Sequence, residues 1–164
     1  METPISWKTI DFERKKIYQS FDNDKFTLIE AYEAKYNESS IPVVFYDYTN
    51  AGVSFVETLD NALNDIEDTN KLIDGDVLNP EYTNTSMNTP IFHSIVEIKQ
   101  TKCYVSVQKN IAYKTFVYSV QIFKTTPNGL FCGQTLLPSF DESNVMMSLD
   151  NQHIKDIVDC LSQL

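Results

Sequence analysis

From residue 91 to residue 137 the sequence reads IFHSIVEIKQTKCYVSVQKNIAYKTFVYSVQIFKTTPNGLFCGQTLL, and its hydrophobic pattern indicates the fold class. Apolar and polar side chains alternate along most of it with a period of two, which is typical of β-strands that place one face on a core. The polar residues 100–102 and the sequence Thr126-Pro127-Asn128-Gly129 predict tight turns. We therefore predict four short strands that form an antiparallel meander over residues 91–137.

Residues 53–68 have the spacing of an amphipathic helix. Apolar side chains recur there every three or four residues and form one stripe, which comprises Phe55, Val56, Leu59, Ala62, Leu63 and Ile66. Ser54 followed by Glu57 matches a capping box and predicts where the helix begins. Most of the acidic side chains of this segment lie on the side opposite the stripe.

A second helix is predicted near the C-terminus, over residues 150–162. Its apolar stripe consists of Ile154, Ile157, Val158, Leu161 and Leu164. Ser148 or Asp150 is the expected N-cap, because hydroxyl and carboxylate oxygens accept from the first free N–H groups of a helix.

The remaining segments complete the expected fold. Residues 25–36 allow two interpretations, a helix or partly a strand, whereas residues 42–48 are rich in β-branched and aromatic side chains and predict a strand. Residues 79–90 have the composition of a long surface loop. We expect one α+β domain spanning residues 1–164, in which helices pack over one face of an antiparallel sheet.

The order of these elements over residues 42–164 resembles the Mog1/PsbP/DcrB-like group of small α+β domains. The order is strand, acidic helix, long loop, antiparallel meander and C-terminal helix. That group includes chaperones, adaptors for secreted effectors and immunity-type proteins, so the resemblance implies a fold on which protein-binding functions occur. A fold does not by itself dictate a function.

The charge of the chain is concentrated in one segment. The 164 residues carry 13 basic and 23 acidic side chains, a net charge of −10. Residues 41–81 hold nine of the acids and a single base, Lys71, and so contribute −8. We predict a basic protein partner for the acidic helix surface, which we define as Glu57, Asp60, Asp65, Glu67 and Asp68. Binding to nucleic acid or to an anionic membrane is not expected, since both carry negative charge.

The meander has the opposite, weaker bias. Residues 91–137 contain one acid, Glu97, and five lysines: Lys99, Lys102, Lys109, Lys114 and Lys124. We interpret them as protection of a sheet edge against aggregation rather than as a nucleic-acid footprint.

No motif for nucleophilic catalysis is present. Cys132 is the thiol considered as a nucleophile, and His93 and His153 are the only histidines, but nothing in the sequence brings the three together. A Gly-x-Ser-x-Gly elbow is also missing. We therefore expect a protein that is not an enzyme.

Metal and cofactor motifs are missing as well. His153, Asp156 and Cys160 have spacings that a helix could bring to adjacent faces, but no CxxC or HExxH motif accompanies them. Asp74-Gly75-Asp76 does not continue with the offsets of an EF-hand loop. Without a glycine-rich phosphate loop, no nucleotide cofactor is expected, and we predict neither a metal nor a cofactor.

The three cysteines, Cys103, Cys132 and Cys160, are odd in number and far apart. This pattern predicts buried, reduced thiols in the cytosol rather than a disulfide framework. The first 16 residues contain no apolar run of a secretory signal, and no stretch reaches the length of a transmembrane helix. We expect a cytoplasmic protein.

Three functional hypotheses follow. The first is a non-catalytic, acidic protein-binding module of the immunity, inhibitor or chaperone-adaptor type. The second is a small-ligand or lipid binder, in which Phe45, Tyr46, Tyr48 and Phe116 would surround an aromatic-lined pocket. The third, an enzyme whose residues assemble only on folding, has the least support.

Overall fold

The computed structural model describes residues 1–11, 26–51, 57, 59, 60, 63, 88–112 and 115–164. Within these residues the chain is mostly β-structure with some helix. Seven strands form one sheet: β1 (Lys8–Thr9), β2 (Thr27–Tyr36), β3 (Ser39–Asp47), β4 (Asn88–Ile98), β5 (Thr101–Ala112), β6 (Thr115–Thr126) and β7 (Gly129–Leu137). Two short helices follow, α1 (Val145–Leu149) and α2 (Gln152–Ser162).

The sheet has the strand order β1-β2-β3-β7-β6-β5-β4, and all neighbours are antiparallel. β4 to β7 are successive hairpins, which confirms the predicted meander. The predicted strand over residues 42–48 is also confirmed, since residues 42–47 lie in β3. β3 and β7 pair through Phe45 opposite Gly133 and join the N-terminal strands to the meander.

The prediction for residues 79–90 needs a correction at its end. Residues 88–90 belong to β4, the edge strand, rather than to a loop. Pro90 is compatible with an edge strand, where a missing N–H removes no bond that the sheet needs. The register of β4 shifts between Pro90 and Phe92, and this irregularity obscures the strand pattern in the sequence. Residues 79–87 lie outside the described residues.

Residues 27–36 form a strand, so the helical alternative for this segment is wrong. The register of β2 shifts between Leu28 and Glu30. Such an irregularity moves the alternation by one residue, because an extra residue on one strand reverses the face of every residue beyond it. The interrupted period explains why Phe26, Ile29, Tyr32 and Tyr36 imitate helical spacing.

Hydrophobic residues cover both faces of the sheet. The first face lies against α1 and α2, and its buried residues include Val43, Phe45, Val105, Val120 and Ile122. The alternate residues of the same strands form a separate cluster, which includes Val44, Tyr46, Tyr104, Phe123 and Cys132. Leu59 and Leu63 belong to this second cluster. The expectation that helices pack over only one face is therefore wrong.

Helix α2 packs tightly on β7. Ile157 and Leu161 are fully buried on the first face. A Cβ atom at Gly133 would lie 2.6 Å from Cγ2 of Ile157 and 3.2 Å from Cε1 of Phe45. The absence of a side chain at Gly133 thus allows the helix to approach the strand closely.

The N-cap predicted for the C-terminal helix is wrong. Asn151 caps α2, because its side-chain oxygen accepts a 2.9 Å hydrogen bond from the backbone N–H of Ile154. Ser148 lies in α1 instead, and Asp150 is the C-cap of that helix.

Four of the five lysines of the meander do not protect the sheet edge, and the fifth, Lys114, lies outside the described residues. β4, the edge strand, contains no lysine. Lys102 and Lys109 lie in β5, and Lys124 lies in β6, both interior strands. Lys99 lies in the turn after β4 and binds Asp159 of α2, with Nζ and Oδ2 2.8 Å apart. The interpretation as edge protection is therefore wrong for these four.

Candidate functional site

The acidic helix surface is described in part. Glu57, Leu59, Asp60 and Leu63 have helical backbone conformation, inside the range predicted for the helix. Leu59 is fully buried and Leu63 is 6 % exposed, whereas the side chain of Glu57 is exposed. Leu59 and Leu63, the described members of the apolar stripe, therefore pack on the second face of the sheet. Asp65, Glu67 and Asp68 lie outside the described residues.

Asp60 is not a free surface acid. Its Oδ1 accepts a 2.7 Å hydrogen bond from Oγ1 of Thr125, next to the end of β6. Both side chains are half-buried. Asp60 therefore joins the helical segment to the sheet, a role that the sequence pattern did not indicate.

A surface cavity of 370 Å³ lies at the opposite face of the sheet. It is lined by Tyr36, Ser139, Phe140, Asp141 and Ser148. Tyr36 is the last residue of β2, Ser148 lies in α1, and the other three come from the connection between β7 and α1. Sequence reasoning missed this cavity, because Tyr36 is about a hundred residues away from the others and no motif links them.

Asp141 supplies the negative charge of the cavity. Its Oδ1 accepts hydrogen bonds from the backbone N–H of Ser143 at 3.0 Å and from the Ser143 hydroxyl at 2.6 Å. These bonds favour the ionised form and hold the pKa of Asp141 below its ordinary value. Oγ of Ser148 donates to the backbone oxygen of Asp141 at 3.2 Å and fixes the loop against α1.

The neighbouring acid, Glu142, is already paired. Its Oε2 lies 3.0 Å from Nζ of Lys109 and accepts a 2.9 Å hydrogen bond from the hydroxyl of Tyr118. The bond from Lys109, followed by that from Tyr118, lowers the pKa of Glu142. By contrast, no lysine or arginine in the described part of the chain lies within ion-pair distance of Asp141.

The two aromatic rings of the cavity are held by different neighbours. Tyr36 lies against His153, with ring centroids 5.5 Å apart, and Phe140 lies 5.5 Å from the ring of Tyr118. Both Tyr36 and Phe140 are half-buried and pack against the core of the first face. Their positions are therefore set by packing rather than by the loop alone.

His153 is a buried, neutral side chain. Burial lowers its pKa to about 4. Oγ1 of Thr135 lies 3.0 Å from Nε2 of His153 and donates to the backbone oxygen of Pro42 at 2.9 Å. Since a hydroxyl has one hydrogen to donate, we assign the proton of His153 to Nε2, which donates to Thr135.

The structure does not assemble Cys132 with either histidine. His93 lies on β4, three strands away from Cys132 on β7. At about 4.8 Å per strand, this places their backbones at least ~14 Å apart. His153 packs on the other face of the sheet. A nucleophile–base pair between these residues is therefore excluded.

The three cysteines are free and buried. Burial raises the pKa of Cys103 to about 12 and that of Cys160 to about 11, and it raises the pKa of Cys132 still further above the ordinary value. A thiol with so high a pKa carries almost no thiolate at neutral pH. Sγ of Cys160 points to the backbone oxygen of Glu2, at 3.7 Å.

The four aromatic residues named for a ligand pocket do not share a cavity. Phe45 is fully buried in the cluster of the first face, and Tyr46 is buried in that of the second. Tyr48 stacks on Phe26, with ring centroids 4.6 Å apart. Phe116 is 51 % exposed, and Nζ of Lys109 lies 4.1 Å from its ring centroid.

The sequence matches no protein-family model and no curated protein. Within the described residues, no group of three or more histidine, cysteine, aspartate and glutamate side chains is placed to hold a metal ion. No helix in the described ranges is both long enough and apolar enough to cross a membrane.

Proposed function

We propose that this chain is a non-catalytic protein-binding module whose acidic helix surface binds a basic partner protein. The observation that carries the proposal is the orientation of the helical segment. Leu59 and Leu63 are buried in the second cluster, and Glu57 is exposed. The carboxylate of Glu57 therefore lies on the solvent side of this segment, where a partner can reach it.

The charge of the surrounding sequence supports the same role. Residues 41–81 contribute −8 of the net charge of −10. A surface of one sign raises the rate at which a partner of the opposite sign is captured, and it disfavours partners of like sign. A basic protein is therefore the partner whose chemistry fits best, and an inhibitor, an immunity protein or a chaperone-adaptor would each use such a surface.

The proposal does not include a catalytic step. A non-catalytic role is supported by the neutral, buried state of His153 and by the raised pKa values of the three thiols.

The Mog1/PsbP/DcrB-like arrangement is part of the same proposal. Its support is the order of the elements, in which β3 precedes the helical segment, the meander of β4 to β7 and the C-terminal helices.

Asp60 must be left intact in the experiment that tests this role, because its bond to Thr125 links the helical segment to the sheet. The reversal variant is Glu57→Lys/Glu67→Lys/Asp68→Lys. The control variant is Glu2→Lys/Glu97→Lys/Asp150→Lys, which changes the net charge by the same amount at three exposed acids elsewhere.

Each of the three proteins is immobilised and exposed to extract of the source cell at low salt, and the retained proteins are quantified by mass spectrometry. We expect a basic protein that the wild type and the control variant retain and that the reversal variant loses. If the reversal and control variants retain the same proteins, or if the wild type retains none, the proposal is wrong.

A further inference from the structure

The cavity on the first face combines a carboxylate with two aromatic rings. Asp141, Tyr36 and Phe140 all line its 370 Å³. The face of an aromatic ring attracts cations, and a planar guanidinium can stack on a ring while its N–H groups donate to a carboxylate. A carboxylate accepts several such bonds, because its two oxygens offer about four acceptor sites. This set of groups fits an arginine side chain better than a neutral or an anionic ligand.

The carboxylate of Asp141 is available for such a ligand. It is exposed, and the groups that donate to it, Ser143 and the backbone N–H of Asn144, are neutral rather than cationic. Glu142, the adjacent acid, differs because Lys109 already lies 3.0 Å from its carboxylate. Asp141 therefore keeps a full negative charge at the cavity, and a cation from outside the molecule would pair with it.

An exposed methionine precedes the residue that α1 contributes to the cavity. Met147 is 70 % exposed and lies next to the cavity residue Ser148. Methionine is flexible and polarizable, and it adapts to apolar groups of different shapes. Such a surface would contact the residues that flank an arginine in a polypeptide, whereas a free small cation would not use it.

We propose that the cavity binds an arginine side chain of a basic polypeptide, with the guanidinium on Asp141, Tyr36 and Phe140 and a flanking residue on Met147. This inference rests on the proposed function for the basic character of the partner. It adds a second contact, on the face of the sheet opposite the one that Leu59 and Leu63 cover.

The test uses short peptides and the full chain labelled with ¹⁵N, so that binding is read from amide chemical shifts. The probes are acetyl-Gly-Arg-Gly-amide, the same peptide with neutral citrulline in place of arginine, and acetyl-Leu-Arg-Leu-amide. We expect saturable shifts at Ser139, Asp141 and Ser148 with both arginine peptides. The citrulline peptide should give none, because it has the shape of arginine without the charge.

Three variants connect these shifts to the named side chains. Asp141→Asn should weaken binding of the arginine peptides about fivefold to tenfold, through loss of a charge-assisted contact. Glu97→Gln removes one negative charge on β4, away from α1 and the cavity, and should leave the affinity unchanged. Because Asp141 also orders its loop, Tyr36→Leu provides an independent variant, which removes a ring without touching that loop and should weaken binding similarly.

The leucine-flanked peptide distinguishes a polypeptide from a free cation. It should bind more tightly than the glycine-flanked peptide, and Met147→Gln should remove this difference. The inference is wrong if the shifts do not saturate, if citrulline binds equally well, or if Asp141→Asn and Tyr36→Leu both keep the wild-type affinity. Equal affinity of the two arginine peptides would contradict the polypeptide partner. None of these results depends on Glu57, Glu67 or Asp68. Arginine binding at the cavity can therefore be disproved while the acidic helix surface still binds a partner, and binding by that surface can be disproved while the cavity still binds arginine.

Discussion

Oδ1 of Asp60 and Oγ1 of Thr125 lie 2.7 Å apart and form a hydrogen bond between the helical segment and the end of β6. The two residues are separated by 65 positions in the sequence. The bond connects the most acidic part of the chain to the sheet. Its consequence is that one of the five predicted partner-binding acids has a structural role.

Thr125→Val should therefore destabilise the protein. The change keeps the shape of the side chain but leaves the half-buried carboxylate of Asp60 without this donor. We expect a loss of about 1 to 2 kcal/mol in the free energy of unfolding, as for other hydrogen bonds to a charged group. Urea unfolding of Thr125→Val, Asp60→Ala and the double variant measures the coupling. If the two single effects simply add, the bond contributes nothing to stability.

His153 should make the stability depend on pH in a mildly acidic range. Its pKa is about 4 in the folded protein and about 6.5 when unfolded, so between these values the unfolded chain binds the proton and the folded chain does not. This contribution to stability is complete above pH 6.5 and is lost as the pH falls towards 4. The contribution of His153 to the free energy of unfolding above pH 6.5 should be on the order of 3 kcal/mol.

The matched control for this prediction is His153→Gln, which keeps an N–H donor for Thr135 but does not titrate. Thermal unfolding of both proteins between pH 4 and pH 7 isolates the histidine, because the carboxylates titrate in both proteins. The wild type should lose more stability than the variant over this range. Parallel pH profiles would show that His153 is already protonated, or is not buried, in the folded state.

The cysteines should be inert in the folded protein. With pKa values of about 11 for Cys160 and about 12 for Cys103, the thiolate fraction at pH 7.5 is at least about a hundredfold lower than for a free cysteine of pKa ~8.5. Labelling by iodoacetamide should accordingly be at least that much slower in the native protein than in urea. Rapid labelling of any one of the three would contradict their burial.

The sheet was predictable where the strands are regular. Apart from Tyr104 and Val117, apolar and polar side chains alternate along Cys103–Gln108 and Phe116–Ile122, and these segments lie in β5 and β6. The pattern was ambiguous in β2 and at the start of β4, since a register shift in each reverses the faces. A regular strand can be recognised in the sequence from a hydrophobic period of two, whereas the sequence pattern of an irregular strand resembles that of a helix or a loop.

The features of the two candidate sites also differed in whether the sequence could predict them. The burial of Leu59 and Leu63 agrees with the stripe that the sequence predicted, because helical periodicity is a local property. The bond from Thr125 to Asp60 and the meeting of Tyr36 with Asp141 depend on the path of the chain between distant segments. Only the folded sheet brings such residues together.

The most direct test of the acidic helix surface is the rate at which a captured partner associates, measured by stopped-flow fluorescence at 20 to 500 mM NaCl. We compare the wild type, Glu57→Lys/Glu67→Lys/Asp68→Lys and the control Glu2→Lys/Glu97→Lys/Asp150→Lys, after circular dichroism has shown that all three are folded. The reversal should slow association by at least about tenfold at low salt and flatten its dependence on salt, and the control should remain close to the wild type. Equal slowing by the two variants would mean that only the net charge matters and would contradict a binding surface on this helix.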